Sequence, residues 1–312
     1  MPPVPPPVST TEMGFDQTIA IDWSGAKGKT QKGIAVALCE RRDEGVHHVS
    51  LIVPPEGALW SRSSLLIWLQ HHLSQHRALV GFDFSFSLPY VDYDDYLPGT
   101  ALRARSVFDL WHEIEGLCKN APNYEGHNFV ERHSDCFLQT SGRVGDLFVQ
   151  YGPRLRVCEE ECMLQGHGRA ESNFHLIGPT QVGLSSFSGM RVLKQLCRTS
   201  NVCVWPFDLP AKQQSVIVEM YTRLFLTMAG VGRQKIRSRN DLDRSLDALR
   251  AKMSPSMVAM KNNDITVFDD HVSDALVSAA GMMMLADQSK VWTPAKLSDK
   301  VRKTEGWTFG VL

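Results

Sequence analysis

The residues of this chain that could do chemistry are acids placed where acids are uncommon. Asp22 ends the apolar run "TIAIDW" (18–23) and is followed at once by the small-residue turn "SGAKGK". Asp83 stands in "VGFDFSFSLP", where an apolar strand runs into serines and Pro89, and Glu219 interrupts the apolar "VIVEMY". Near the C-terminal end, "DDHVSDAL" sets His271 and Asp274 three apart and Asp270 and Asp274 four apart, spacings that share one face of a helix. Each has an ordinary alternative: a turn or capping aspartate, N-terminal helix charge for Asp269 and Asp270, a surface histidine, a Glu219–Arg223 pair. Brought to one point, these groups would be costly to bury unless a cation neutralised them. Oxygen-rich sets of this kind suit Mg²⁺ or Mn²⁺. Two such ions about 3.5–4 Å apart can activate a water and stabilise the leaving oxygen of a phosphodiester. The expected catalytic group is therefore Asp22, Asp83, Glu219, His271 and Asp274. Asp22, Asp83, Asp274 and Asp270 are the expected metal ligands, with Asp22 bridging.

The elements that must position these groups follow from periodicity. Strands are predicted at 18–23, 32–40, 47–55, 77–86 and 213–221, with "DEG" (43–45) as a turn between the second and third. Helices are predicted at 63–76, 103–120, 189–198, 238–253 (Asn240 as its cap) and 269–288. With strands in the order 3-2-1-4-5, the first and fourth are neighbours, and Asp22 and Asp83 lie side by side at one rim. The Gly-, Pro-, His- and Tyr-rich stretch at about 90–209 reads as a largely helical and loop insertion. The Pro-rich start (1–17) reads as an extended, disordered tail. The expectation is one domain over 18–312.

Bulk properties bound the partners. The formal net charge of −1 and a pI of about 6.8 exclude a globally basic footprint and leave room only for a local groove for DNA or RNA. Seven cysteines without a paired framework fit a reducing compartment, and neither a signal peptide nor a membrane span is read, so a cytoplasmic protein is expected. "CEEEC" (158–162) with His167, and "HSDC" (133–136), lack zinc-ligand spacing.

The segments "IAIDWSG", "ALVGFDFSFSLP", "VIVEMYTRLF", "DDHVSDALVSAA" and "TEGWTFGVL", in that order, resemble a family of predicted nucleases with the RNase H-like fold, grouped as a domain of unknown function. "FHLIGPTQVGLSSFSGMRVLKQL" (174–196) is similar to that family's insertion. The resemblance implies a five-stranded mixed sheet in 3-2-1-4-5 order with flanking helices. More distantly, the last of these helices is similar to that of Holliday-junction resolvases, where an acid or histidine precedes Asp-Ala-Leu by three; His271 and Asp274 match it. Those resolvases use a glutamate on the fourth strand, whereas this chain offers Asp83.

Further groups are candidates for phosphate or substrate contact: Ser24 and Lys27 after the first strand, Ser185 and Ser186 before a helix beginning near Gly189, Arg191 on its first turn, and Arg223. "GRQKIRSR" (232–239) and "KVRK" (300–303) are candidate basic patches, and Trp23 is a candidate for stacking on a base. Two other readings use the same residues: an actin-like ATP-binding kinase or ATPase cradling phosphates in "IDWSGAKGK", and a catalytically degenerate binding module.

Overall fold

The computed structural model describes residues 14–42, 46–55, 57–178, 182–199, 201–211, 213–232, 236–252, 259–262 and 269–312. The strands are β1 (Gln17–Asp22), β2 (Ala35–Arg41), β3 (Val46–Ile52), β4 (Leu79–Phe82), β5 (Val202–Val204), β6 (Ser215–Glu219) and β7 (Ala259–Asn262). They form one mixed sheet ordered β5-β6-β4-β1-β2-β3-β7. The five expected strands keep their expected order, as β3-β2-β1-β4-β6, but the sheet is wider than five. β5 and β7 extend its two edges, both parallel to their neighbours. β5 is only "VCV" and β7 "AMKN", neither of which carries the run of apolar residues that marks β4.

Helices cover both faces: α1 (Arg62–Gln75), α2 (Val107–Cys118), α3 (His127–Arg132), α4 (Asp146–Tyr151), α5 (Val157–Leu164), α6 (Gly183–Leu196), α7 (Thr222–Met228), α8 (Arg239–Arg250), α9 (Asp270–Ala286), α10 (Ser289–Trp292) and α11 (Asp299–Thr304). Alternation along the strands builds two cores. Ile19, Ile21, Val36, Leu38, Val80, Phe82 and Ile217 face α1, α2 and α6. Ala20, Ala35, Ala37, Leu79, Val216 and Val218 face α7, α8 and α9. The second face is floored with alanine under α9, and a Cβ on Gly81 would lie 2.4 Å from Met282 Sδ. These small residues let α9 lie close across β1 and β2, where Thr18 Oγ1 donates to Ala279 O at 2.7 Å.

Several local expectations need correction. Residues 14–17, assigned to the tail, are packed: Phe15 is fully buried beneath the Arg77 guanidinium and beside Trp292. Residues 1–13 of that tail and the 43–45 turn lie outside the described residues. α8 is capped by Ser238, whose hydroxyl accepts from Asp241 N–H, so Asn240 lies inside the helix. α6 begins at Gly183, six residues before the expected start, because its small residues serve packing and not a turn. A Cβ on Gly183 would reach Asn173 O at 2.3 Å, and one on Gly189 would enter the Phe84 ring at 2.2 Å.

The loop after β1 presses on the N-terminal turn of α6 at Gly25, where a Cβ would meet Ser185 N at 2.2 Å and Leu184 C at 2.3 Å. Both are backbone atoms, so no side chain can swing aside. Gly25→Ala is expected to lower unfolding free energy by about 1–3 kcal/mol, the usual cost of overpacking, read as a lower urea midpoint at unchanged slope.

Candidate functional site

Strand register decides which acids meet. β1 and β4 are parallel with Ile21 opposite Phe82, and Asp83 N–H donates to Ile21 O at 3.1 Å, so Asp22 and Asp83 follow side by side at the C-terminal ends of neighbouring strands. Alternation puts Asp22 on the face of Thr18 and Ala20, and Asp83 on that of Leu79 and Gly81, the face that α9 covers. α9 is capped there by Asp269, whose carboxylate accepts from Val272 N–H at 2.8 Å. Its first turns therefore point His271 and Asp274 at the rim.

His271 Nδ1 and Asp22 Oδ2 are 2.5 Å apart, with Asp22 buried and the imidazole half exposed. The hydrogen bond to Asp22, more than the opposing burial, raises the His271 pKa, and Asp269 and Asp274 add to it. Burial outweighs His271 at Asp22 itself, whose carboxyl is also raised. Asp83 is pushed furthest up, first by burial and then by the charges of Asp22 and Asp274. Thr222 Oγ1 opposes this by donating to Asp83 Oδ2 at 3.2 Å. Ser278, one turn beyond Asp274, donates to Thr222 Oγ1 at 3.2 Å and ties α9 to the same point. Asp22, Asp83, His271 and Asp274 thus occupy one neighbourhood, from strands and a helix far apart in sequence.

Other expected members are placed elsewhere. Glu219 is in register with Phe82, one row before the aspartates, and alternation turns it from the α9 face. Its carboxylate takes both arms of the buried Arg156 guanidinium, at 2.6 and 2.8 Å, together with Phe86 N–H at 2.8 Å and Thr308 Oγ1 at 2.7 Å. Its partner is Arg156 and not Arg223, and with these donors it is a structural ion pair and not a free base. Asp270 accepts from Arg237 at 2.6 Å instead of joining the rim; its neighbour Asp269 is the acid felt by Asp22 and His271.

The expected phosphate contacts divide. Arg191 is buried, with Glu115 at 2.6 Å and the Glu125 carbonyl at 2.8 Å, so it holds the insertion together. Ser186 is buried inside α6, bonded to Asn173 and Val182 and accepting from Ser85 N–H. Ser185 is partly buried within the same helix, against Gly25. Arg223 is half-buried on α7, its Cδ beside Gly168. Trp23 is buried between Phe82 and Phe84 and donates to Ser188 Oγ at 3.0 Å, so it stacks in the core and not on a base. Ser24 remains near His271 across Gly33, although it already bonds Gln31, and Lys27 is exposed on the same loop and acts electrostatically on His127. Of the basic patch 232–239, residues 233–235 lie outside the described residues.

Two arginines went unnoticed in the sequence. Arg156 gathers Glu219 and Glu159 at one buried point, and donates to the Glu305 carbonyl at 3.0 Å. Arg62, fully buried at the start of α1, donates to Ser24 O at 2.7 and 3.0 Å, Ala26 O at 2.7 Å and Asn123 O at 3.0 Å. Burial lowers its pKa to about 10. Nothing in one sequence separates such arginines from solvated ones.

Among the described residues, no three His, Cys, Asp or Glu side chains stand already spaced as a ligand set. The donor chemistry nevertheless fits a hard divalent cation. Carboxyls crowded until one is forced well above its ordinary range are relieved by an oxygen-seeking ion. Mg²⁺ in particular keeps several of its waters, so its carboxylates need not form a closed set. No helix of the described residues is long and apolar enough to cross a membrane. Comparison with protein-family models, with curated proteins and with solved structures finds no match.

Two outcomes are expected. By NMR, His271 should titrate above the ordinary histidine value of about 6.5 and fall back towards it in Asp22→Asn. Because the folded pKa of His271 is the raised one, the histidine's contribution to stability is full below about pH 6.5 and is lost as pH rises through the folded value, as long as Asp22 stays ionised. An unchanged titration would show that Asp22 does not hold that proton. Arg156→Met should cost about 3–5 kcal/mol in urea unfolding by stranding Glu219, and Arg156→Met with Glu219→Gln should recover part of the loss.

Proposed function

We propose that this chain is a divalent-metal-dependent phosphodiesterase acting on nucleic acid, built on an RNase H-like arrangement of β1, β2, β3, β4 and β6. The observation that carries the reading is the position of Asp22 and Asp83 at adjacent parallel strand ends, with Asp274 near enough to raise the Asp83 carboxyl. Oxygen donors of this kind match Mg²⁺ or Mn²⁺. Asp22, Asp83 and Asp274 would hold the ion, which when bound supplies charge stabilisation to a phosphodiester and a more acidic water. Glu219 and Asp270 are left out of this set because each already holds an arginine.

The chain's own groups have definite tasks in this reading. His271 holds a proton on or near Nδ1 through Asp22 and keeps its half-exposed ring facing solvent, where it can exchange protons with a leaving or attacking oxygen. Asp22 fixes the orientation of that ring, as an acid behind a histidine does in other general acid–base pairs. Thr222 fixes the Asp83 carboxyl by a hydrogen bond, and Ser278 in turn holds the Thr222 hydroxyl.

The test is cleavage of labelled DNA and RNA oligonucleotides in Mn²⁺. Asp22→Asn and Asp274→Asn are each expected to lose at least about a hundredfold in rate while folding normally, on the scale of removing one catalytic electrostatic group. Cleavage at the parental rate by both variants would sink the reading. Saturable Mg²⁺-ATP binding with no oligonucleotide binding would favour the kinase or ATPase alternative.

A further inference from the structure

We infer that the β1–β2 loop, residues 24–33, is a preorganised track for the phosphodiester backbone of a nucleic-acid strand, gripping phosphates beside the rim through Lys27, Lys29 and Lys32. The inference deepens the reading above and rests on it for the identity of the polyanion.

Four of the loop's carbonyls are held from beneath. Ser24 O and Ala26 O accept from Arg62, Gly28 O accepts from Gln31 and Asn123 at 3.0 and 2.9 Å, and Lys29 O accepts from Asn123 at 3.1 Å. These bonds fix the path of the loop and so the places from which its lysines leave it. Lys27, Lys29 and Lys32 are all exposed. Among the described residues, the lysines that pair with carboxylates are Lys296 and Lys300, on Glu161 and Asp94. Glu125, the carboxylate that touches the loop, is held by Gly28 N–H at 2.8 Å. Arg62 adds a buried positive charge beneath, bonded to carbonyls and not to an acid. The loop is therefore electropositive by construction, in a chain of net charge −1.

Its position supplies the rest. A Cβ on Gly33 would lie 3.3 Å from both His271 Cε1 and Ser24 Cβ, so the two ends of the loop close around the histidine that bonds Asp22. The loop's lysines contribute affinity without base preference, and counterion release gives that affinity a measurable salt slope.

Fluorescence anisotropy of labelled single-stranded DNA and RNA in EDTA tests this without metal. The triple variant Lys27→Ala/Lys29→Ala/Lys32→Ala is expected to flatten the slope of log affinity against log salt by about 2. Between 50 and 200 mM salt the parent should then lose about twentyfold more affinity than the variant. The control Arg250→Ala/Lys290→Ala/Lys296→Ala removes equal charge elsewhere and should keep the parental slope. Thermal melts of all three proteins confirm folding. A triple variant with the parental slope overturns the inference, as does equal flattening by the control, or a parent that binds ATP but no oligonucleotide. Failure here remains distinct from failure of the catalytic reading. Lysine-dependent binding without Mn²⁺ cleavage sinks only the latter, and cleavage indifferent to the lysines sinks only the track.

Discussion

Carboxylates that would repel one another in isolation are forced together by strand pairing and by a helix that cannot stand off. The hydrogen bond from Asp83 N–H to Ile21 O locks one pair of acids into adjacency. The alanine floor beneath α9 brings the third acid and its histidine down onto them. Burial first, and the charges of Asp22 and Asp274 after it, lift the Asp83 carboxyl well above its ordinary pKa. Hydrogen bonds from Thr222 and the contact with His271 soften the repulsion without removing it. The local destabilisation is of the kind that folds tolerate where a ligand or a reaction relieves it.

A second polar centre does different work. Arg156, Glu159, Glu219 and Glu305 join α5, β6 and the C-terminal segment, with Glu305 accepting from Tyr90, Val91 and Val157 N–H groups at 2.7, 2.7 and 2.8 Å. Here one arginine serves three glutamates, and each carboxylate accepts from several donors, so the network fixes chain paths. The contrast separates two sets of acids that look alike in sequence: one gathered on Arg156 and backbone N–H groups, and one that meets His271 and Thr222.

How far the sequence could be read follows from the same physics. Period-two alternation and a capped amphipathic segment made β1, β2, β3, β4, β6 and α9 legible, and with them the pairing of Asp22 with Asp83 and the approach of His271 and Asp274. Glu219 could have been set aside by the same rule, since Val216 and Val218 place it on the alternate face. The insertion was opaque because its helices are short and its glycines and serines mark close packing as often as turns: Gly183 and Gly189 look like loop residues and sit inside α6. Arg62 and Arg156 were opaque for another reason. Arg62 is held by backbone carbonyls and Arg156 by distant Glu219, while its local pairing with Glu159 is one that a solvated helix start would show equally.

The grip of Arg62 and Asn123 on the β1–β2 loop has an architectural corollary. Asn123 belongs to the segment spliced between β4 and β6, and its own carbonyl and side chain are wired to α1 and to Gly28. Excising that segment to reach a minimal core would unmoor the rim beside it. The long interruption is in this sense scaffolding, and the chain's smallest competent unit includes it.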